Sequence, residues 1–115
     1  MEESKKEQLR QNSKRWRATN KLKVLYHYSD GNLKCNCCGE AHFEFLTIDH
    51  IDNSGKDHRR KLAKSYDYRK ISAGEVYRDI IKKNYPDGFQ VLCYNCNCSK
   101  GIHGECPHTV GGYDL

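Results

Sequence analysis

Apolar positions are sparse over the first third of the chain and then arrive in short bursts. Residues 2–28 contain no glycine or proline and are rich in Lys, Arg, Glu, Gln and Leu, which predicts one long helix. Ala18, Leu22, Leu25 and Tyr26 recur at helical spacing, so the second half is expected to pack through that stripe. The first half is polar apart from Leu9 and Trp16 and is expected to project or fray; Trp16 is expected to pack. "SDGN" at 29–32 stops the helix, with Gly31 at its C-terminal cap. "FEFLTIDHI" at 43–51 reads as a strand from its β-branched and aromatic content. Residues 52–71, charged and without periodicity, read as a loop. "SAGE" at 72–75 forms a capping box, opening a helix to about Lys83 that buries Val76, Tyr77, Ile80 and Ile81. "FQVLC" at 89–93 is a second strand, and "NCNCSKG" a short helix or turn closed by Gly101. The glycine-bearing tail is expected to be loose.

Composition sharpens this picture. With 115 residues and 37% hydrophobic content, the chain suits one small domain whose limited core calls for a staple. Its seven cysteines are odd in number and grouped in CxxC pairs, which favours metal binding over a disulfide framework. The charged N-terminus lacks a signal-peptide pattern, and no segment has transmembrane length. An intracellular, reducing setting is therefore expected. Of the net charge of +5, most lies in residues 1–30, with eight Lys/Arg against four Asp/Glu. A basic arm on a nearly neutral body points to a polyanion partner, nucleic acid foremost, against the alternative of a solvated helix face.

Cys35-x-x-Cys38 and Cys93-x-x-Cys96 are two thiolate pairs, each beside an expected strand, as in zinc knuckles. Four sulfurs at roughly 2.3 Å suit one tetrahedral structural Zn²⁺. Cys37 is an alternative to Cys35 or Cys38 as a ligand. Cys98, His103, Cys106 and His108 have the residue types for a second site, but their spacing matches no defined motif, and packing is the favoured reading.

Asp49-His50 interrupts the apolar strand where it should continue. Adjacent strand residues point to opposite faces, so both serve one site only near a strand end or bulge. Asn97 directly follows the second thiolate pair, and zinc between the pairs would bring it near this strand.

"LTIDHID…GFQVLCYNCNCSKG" resembles the HNH, or ββα-metal (His-Me finger), endonucleases, and in particular small phage-type members with four zinc cysteines. It is also similar to Holliday-junction resolvases of the endonuclease VII type. The resemblance covers roughly residues 20–108. It implies an α+β fold: a zinc-stapled, treble-clef-like ββα-metal domain at 31–108, with an inserted loop and helix at 53–86, a basic helix at 1–30 and a tail at 109–115. It implies a metal-dependent DNA endonuclease, nicking or cutting both strands, in the host cytoplasm if phage-encoded. His50 would be the general base, and Asp49 and Asn97 would hold Mg²⁺ or Mn²⁺ at the scissile phosphate. A branched-DNA resolvase, which needs a dimer, and a catalytically inactive zinc-stabilised DNA-binding module are the alternatives.

One departure stands out. The family's middle Asn, which braces the loop holding the catalytic His, falls near Asp87 or Gly88 here, with Asn84 or Asn95 as substitutes. Asp52 is expected to cap a turn rather than add a ligand. Lys56, His58, Arg59, Arg60 and Lys61 form a basic cluster suited to phosphates, and His58 could also reach the scissile group. On the first helix, Arg10, Lys14, Arg15, Arg17, Lys21 and Lys23 would follow a duplex backbone.

Overall fold

A computed structural model describes residues 2–64 and 67–109. It is a small α+β fold. In chain order it contains α1 (Glu2–Tyr28), β1 (Leu46–His50), α2 (Gly55–Ala63), α3 (Ala73–Lys82), β2 (Phe89–Cys93) and α4 (Tyr94–His103), with single 3₁₀ turns at Phe43–Phe45, Tyr68–Lys70 and Pro107–Thr109. The strands pair antiparallel, with Leu46 opposite Cys93 and His50 opposite Phe89. No helix among the described residues is long and apolar enough to cross a membrane.

Two apolar clusters build the core. One gathers Leu25, Leu46, Val91 and Leu92 around Cys35, Cys93, Cys96 and Cys106. The other joins Val24, Ala63, Ile71, Val76, Tyr77 and Ile80. Adjacent residues of α1, Val24 and Leu25, enter different clusters, so one helix spans both halves of the fold. The buried stripe of α1 is therefore Asn20, Val24 and Leu25, with Tyr28 partly buried. This corrects the sequence reading: Ala18 is exposed, Leu22 is 45% exposed and Tyr26 59%, and only Leu25 of the expected four is buried. Apart from Leu25, the expected stripe lay two positions off, with 18, 22 and 26 in place of 20, 24 and 28, because Asn20, a polar residue, takes a core place. Trp16 keeps 46% exposure, with the Arg78 guanidinium 4.5 Å from its ring centre.

Three boundaries also differ from expectation. Phe43–Phe45 coil into a 3₁₀ turn, so β1 begins at Leu46. The expected loop contains α2, which buries only Ala63 and so shows no apolar period. Its charges nonetheless suit a helix, with Asp57 in the first turn and Arg60 and Lys61 in the last. α4 runs through Gly101 and ends at Gly104, whose φ of 79° is left-handed backbone that glycine adopts without strain. The capping box of α3 forms as read, with Ser72 Oγ accepting from the Glu75 N–H and the Glu75 carboxylate accepting from the Ser72 N–H. The expected loose tail beyond Thr109 lies outside the described residues.

Candidate metal centre and His50 cleft

The loop after α1 folds back as a knuckle. The Gly39 N–H donates to the Cys35 carbonyl, the Cys35 N–H to Glu40, and the Asn36 N–H to Val91 of β2. These bonds lay Cys35 and Cys38 against the end of β2, where Cys93 closes the strand and Cys96 opens α4. The four sulfurs lie within 4.8 Å of one another, and Cys38 Sγ is 3.7 Å from Cys93 Sγ. A tetrahedral ion with bonds of about 2.3 Å separates its sulfurs by roughly 3.8 Å, so the donor set fits Zn²⁺. Burial raises the Cys35 thiol pKa, but hydrogen bonds from the backbone of Cys38, Cys93 and Cys37 outweigh it and bring the thiol down to about 7. Burial, then the neighbouring Cys93 and Cys38 thiols, push Cys96 up. Loading an ion here must therefore release protons.

His50 ends β1 and turns into a cleft of about 220 Å³ that it lines with Ser54, His58, Lys61, Asp79, Lys83 and Phe89, among others. Its ring lies 4.8 Å from the Phe89 ring centre. His50 Nε2 is 2.8 Å from His58 Nδ1, and His58 Nε2 is 2.7 Å from Asp79 Oδ2. The carboxylate can only accept, so with both rings neutral the protons order in one way: His58 Nε2–H donates to Asp79, and His50 Nε2–H donates to His58 Nδ1. That leaves the lone pair of His50 on Nδ1. Gly55, at the start of α2, faces that atom; a Cβ there would lie 3.3 Å from it. Burial, then the His58 charge, lower the pKa of His50, which favours the neutral ring at neutral pH. For Asp79, burial acts upward but is outweighed by hydrogen bonds from His58 and Lys83, and the net shift is down.

Asp49 faces the other side of β1, toward α4. It is 7% exposed, and its Oδ2 accepts from Gln90 Nε2 at 2.8 Å and pairs with Lys100 Nζ at 3.0 Å. Lys100 Nζ also donates to the carbonyls of His50 at 2.9 Å and Ile51 at 3.2 Å, and to Asn53 Oδ1 at 2.7 Å. Asn97, one turn before Lys100, donates its amide to Thr47 Oγ1 at 2.8 Å and to the Ile48 carbonyl at 3.4 Å. Its Oδ1 is an acceptor that these two bonds do not use. The fold thus places Asp49 and Asn97 on one side of β1 and the His50 ring on the other. Oxygen donors suit a hard divalent ion, but the Lys100 ammonium already neutralises the Asp49 carboxylate, so an ion bound there displaces it.

Asp52 accepts from the Ser54 N–H, as expected of a turn cap. His58 is committed to His50 and Asp79, at 13% side-chain exposure, rather than lying open in a basic cluster. Arg60 pairs with exposed Asp57 and lies over Tyr68, and Lys56 is exposed. Arg59 Nε is buried and has no hydrogen-bond partner among the described residues. On α1, Lys14, Arg15, Arg17 and Lys23 are exposed and Arg10 pairs with Glu7, whereas Lys21 donates to the Phe43 carbonyl and stacks on its ring. Asn84 and Asn95, the substitutes for the missing middle Asn, are both exposed.

Sequence reasoning missed Asp79 and Lys100. No motif announces either, since one comes from α3 and the other lies a turn beyond Asn97. It also misassigned the spare donors. Cys106 and His108 converge with Cys37 and Cys96, while Cys98 and His103 are exposed and join neither cluster. Comparisons with protein-family models, curated proteins and solved structures find no match to this chain.

Proposed function

We propose that the chain is a metal-dependent DNA endonuclease of the HNH type, with a treble-clef-like ββα core stapled by Zn²⁺ at Cys35, Cys38, Cys93 and Cys96. The observation that carries this reading is the ordered chain from His50 through His58 to Asp79, in a cleft with Lys61 and Lys83. A neutral imidazole held through Nε2, with its lone pair on Nδ1 beside Gly55, suits a general base acting on water at a phosphate.

In this mechanism His50 Nδ1 takes a proton from water as the oxygen attacks phosphorus. The charge gained by His50 is stabilised through His58 by the Asp79 carboxylate. Lys61 and Lys83 attract the phosphate. Asp49 and Asn97 lie across β1 from the His50 ring, so this scheme requires the phosphate to sit at the strand end, just past His50, where both sides meet; a Mg²⁺ or Mn²⁺ ion held there by Asp49 and Asn97 would supply stabilisation of charge on the phosphate and on the leaving oxygen. His58 and Asp79 take over the bracing that the family assigns to its middle Asn.

A second reading is favoured by one observation: the Lys100–Asp49 ion pair gives the carboxylate a partner without any metal. A zinc-stabilised DNA-binding module would keep the zinc and the basic α1 and cut nothing. Incubating supercoiled plasmid with the full chain, with Mg²⁺, with Mn²⁺ or with EDTA, separates the two. Relaxed or linear DNA that requires the divalent ion supports the nuclease. Retarded but uncut DNA under every condition supports the module.

A further inference from the structure

The knuckle has a second side. Cys35 and Cys38 point toward Cys93, but Cys37 faces Cys106 and His108, and Cys37, Cys96, Cys106 and His108 also hold their ligand atoms within 4.8 Å of one another. His108 Nδ1 lies 3.2 Å from Cys106 Sγ, 3.5 Å from Cys96 Sγ and 3.7 Å from Cys37 Sγ. A tetrahedral ion with roughly 2.3 Å bonds to sulfur and 2.0 Å to nitrogen sets those edges near 3.5 Å. Apolar packing accounts for a buried thiol such as Cys106, at 5% exposure. It does not account for an imidazole nitrogen aimed at three sulfurs at once.

Cys96 belongs to both groups and is 1% exposed. We infer that the protein binds two zinc ions as a thiolate-bridged pair, with Cys96 as the bridge. Cys35, Cys38 and Cys93 complete one ion, and Cys37, Cys106 and His108 complete the other. Seven side chains then make two four-coordinate sites because one sulfur serves twice. The inference rests on the first zinc site proposed above.

The backbone explains how the second set assembles. Gly104 reverses the chain at the end of α4, its N–H donating to the Lys100 carbonyl at 2.8 Å, and Cys106 and His108 return beside the knuckle. The second ion would tie this return to Cys37, which precedes β1. α4 would then be clamped at both ends, by Cys93 at its N-cap and Cys96 in its first turn, and by Cys106 and His108 after it. Asn97 and Lys100 lie on the helix between those clamps.

Metal content of the full chain, purified without chelator, is the first readout. Two zinc ions per chain are expected, falling to one in Cys37→Ser and in His108→Ala, and staying at two in Cys98→Ser and His103→Ala. Circular dichroism checks that each variant keeps its fold. Replacement by ¹¹³Cd then reads the bridge itself: two resonances split by coupling to each other are expected. One zinc in the wild type, unchanged by Cys37→Ser, overturns the second site and leaves the first intact. No zinc at all overturns both. Two cadmium resonances without mutual splitting overturn the bridge.

Discussion

Gly55 offers a perturbation that separates chemistry from folding. A Cβ at this position lies 3.3 Å from His50 Nδ1, the nitrogen that carries the lone pair in the proposed mechanism. A water held for deprotonation must sit about 2.6–3.2 Å from that nitrogen. The methyl of Gly55→Ala takes much of that space and displaces the water by roughly 1 Å, a misplacement that costs on the order of 10²-fold in rate. That equals about 2.7 kcal/mol of barrier. Gly55 opens α2 with no left-handed φ, so alanine fits the backbone and its reduced freedom in the unfolded chain favours folding by about 0.4–1 kcal/mol, while the 3.3 Å approach requires the His50 ring to give by a few tenths of an ångström and opposes that gain. The assay pairs single-turnover cleavage of supercoiled DNA with thermal unfolding. Slower cleavage in a protein that still folds cooperatively is the expected result. Full activity in a folded Gly55→Ala would refute Nδ1 as the proton acceptor.

Three further outcomes are expected. Asp79→Asn removes the charge that stabilises protonated His50 through His58, so cleavage should fall by on the order of 10²–10⁴-fold and the acidic limb of the pH–rate profile should move lower; an unchanged limb would separate Asp79 from the base. Lys100→Met leaves Asp49 buried without its cation, costing about 3–5 kcal/mol, and Mg²⁺ should restore much of that loss in thermal unfolding, whereas no response to Mg²⁺ would show that Asp49 does not hold an ion. Because burial and His58 lower the pKa of His50, its neutral form contributes stability that is fully present above the unfolded-state pKa of about 6.5 and lost as pH falls from there to the folded value. Wild type should lose stability across that window relative to His50→Gln, and parallel curves would contradict the shift.

The convergence of the Cys35/Cys38 and Cys93/Cys96 pairs, both strands and the α3 capping box were legible because each rests on short-range chemistry: paired thiols, β-branched runs and a Ser–Glu reciprocal cap. α2 was not, because a helix that buries one alanine leaves no apolar period to read. The α1 stripe was misplaced because burying Asn20 breaks the rule that polar residues stay outside. The site divides the same way. Asp49, His50 and Asn97 could be picked out by position, but which face each takes is set by the end of β1 and the packing of α4. The His58–Asp79 chain joins α2 to α3 across 21 residues, and no local pattern encodes such a pairing. Lys100 was hidden because a lysine after a metal knuckle reads as surface charge, whereas here its ammonium closes the end of β1 through four oxygens.

The central claim is that His50 removes the proton from the attacking water. Its most direct test is single-turnover cleavage of supercoiled DNA by wild type and His50→Ala under saturating Mg²⁺, with zinc content and DNA affinity measured on the same preparations. A general base contributes about 10²–10⁴-fold. The account predicts a loss of that size with zinc content and affinity unchanged. Cleavage by His50→Ala within a few-fold of wild type would contradict it.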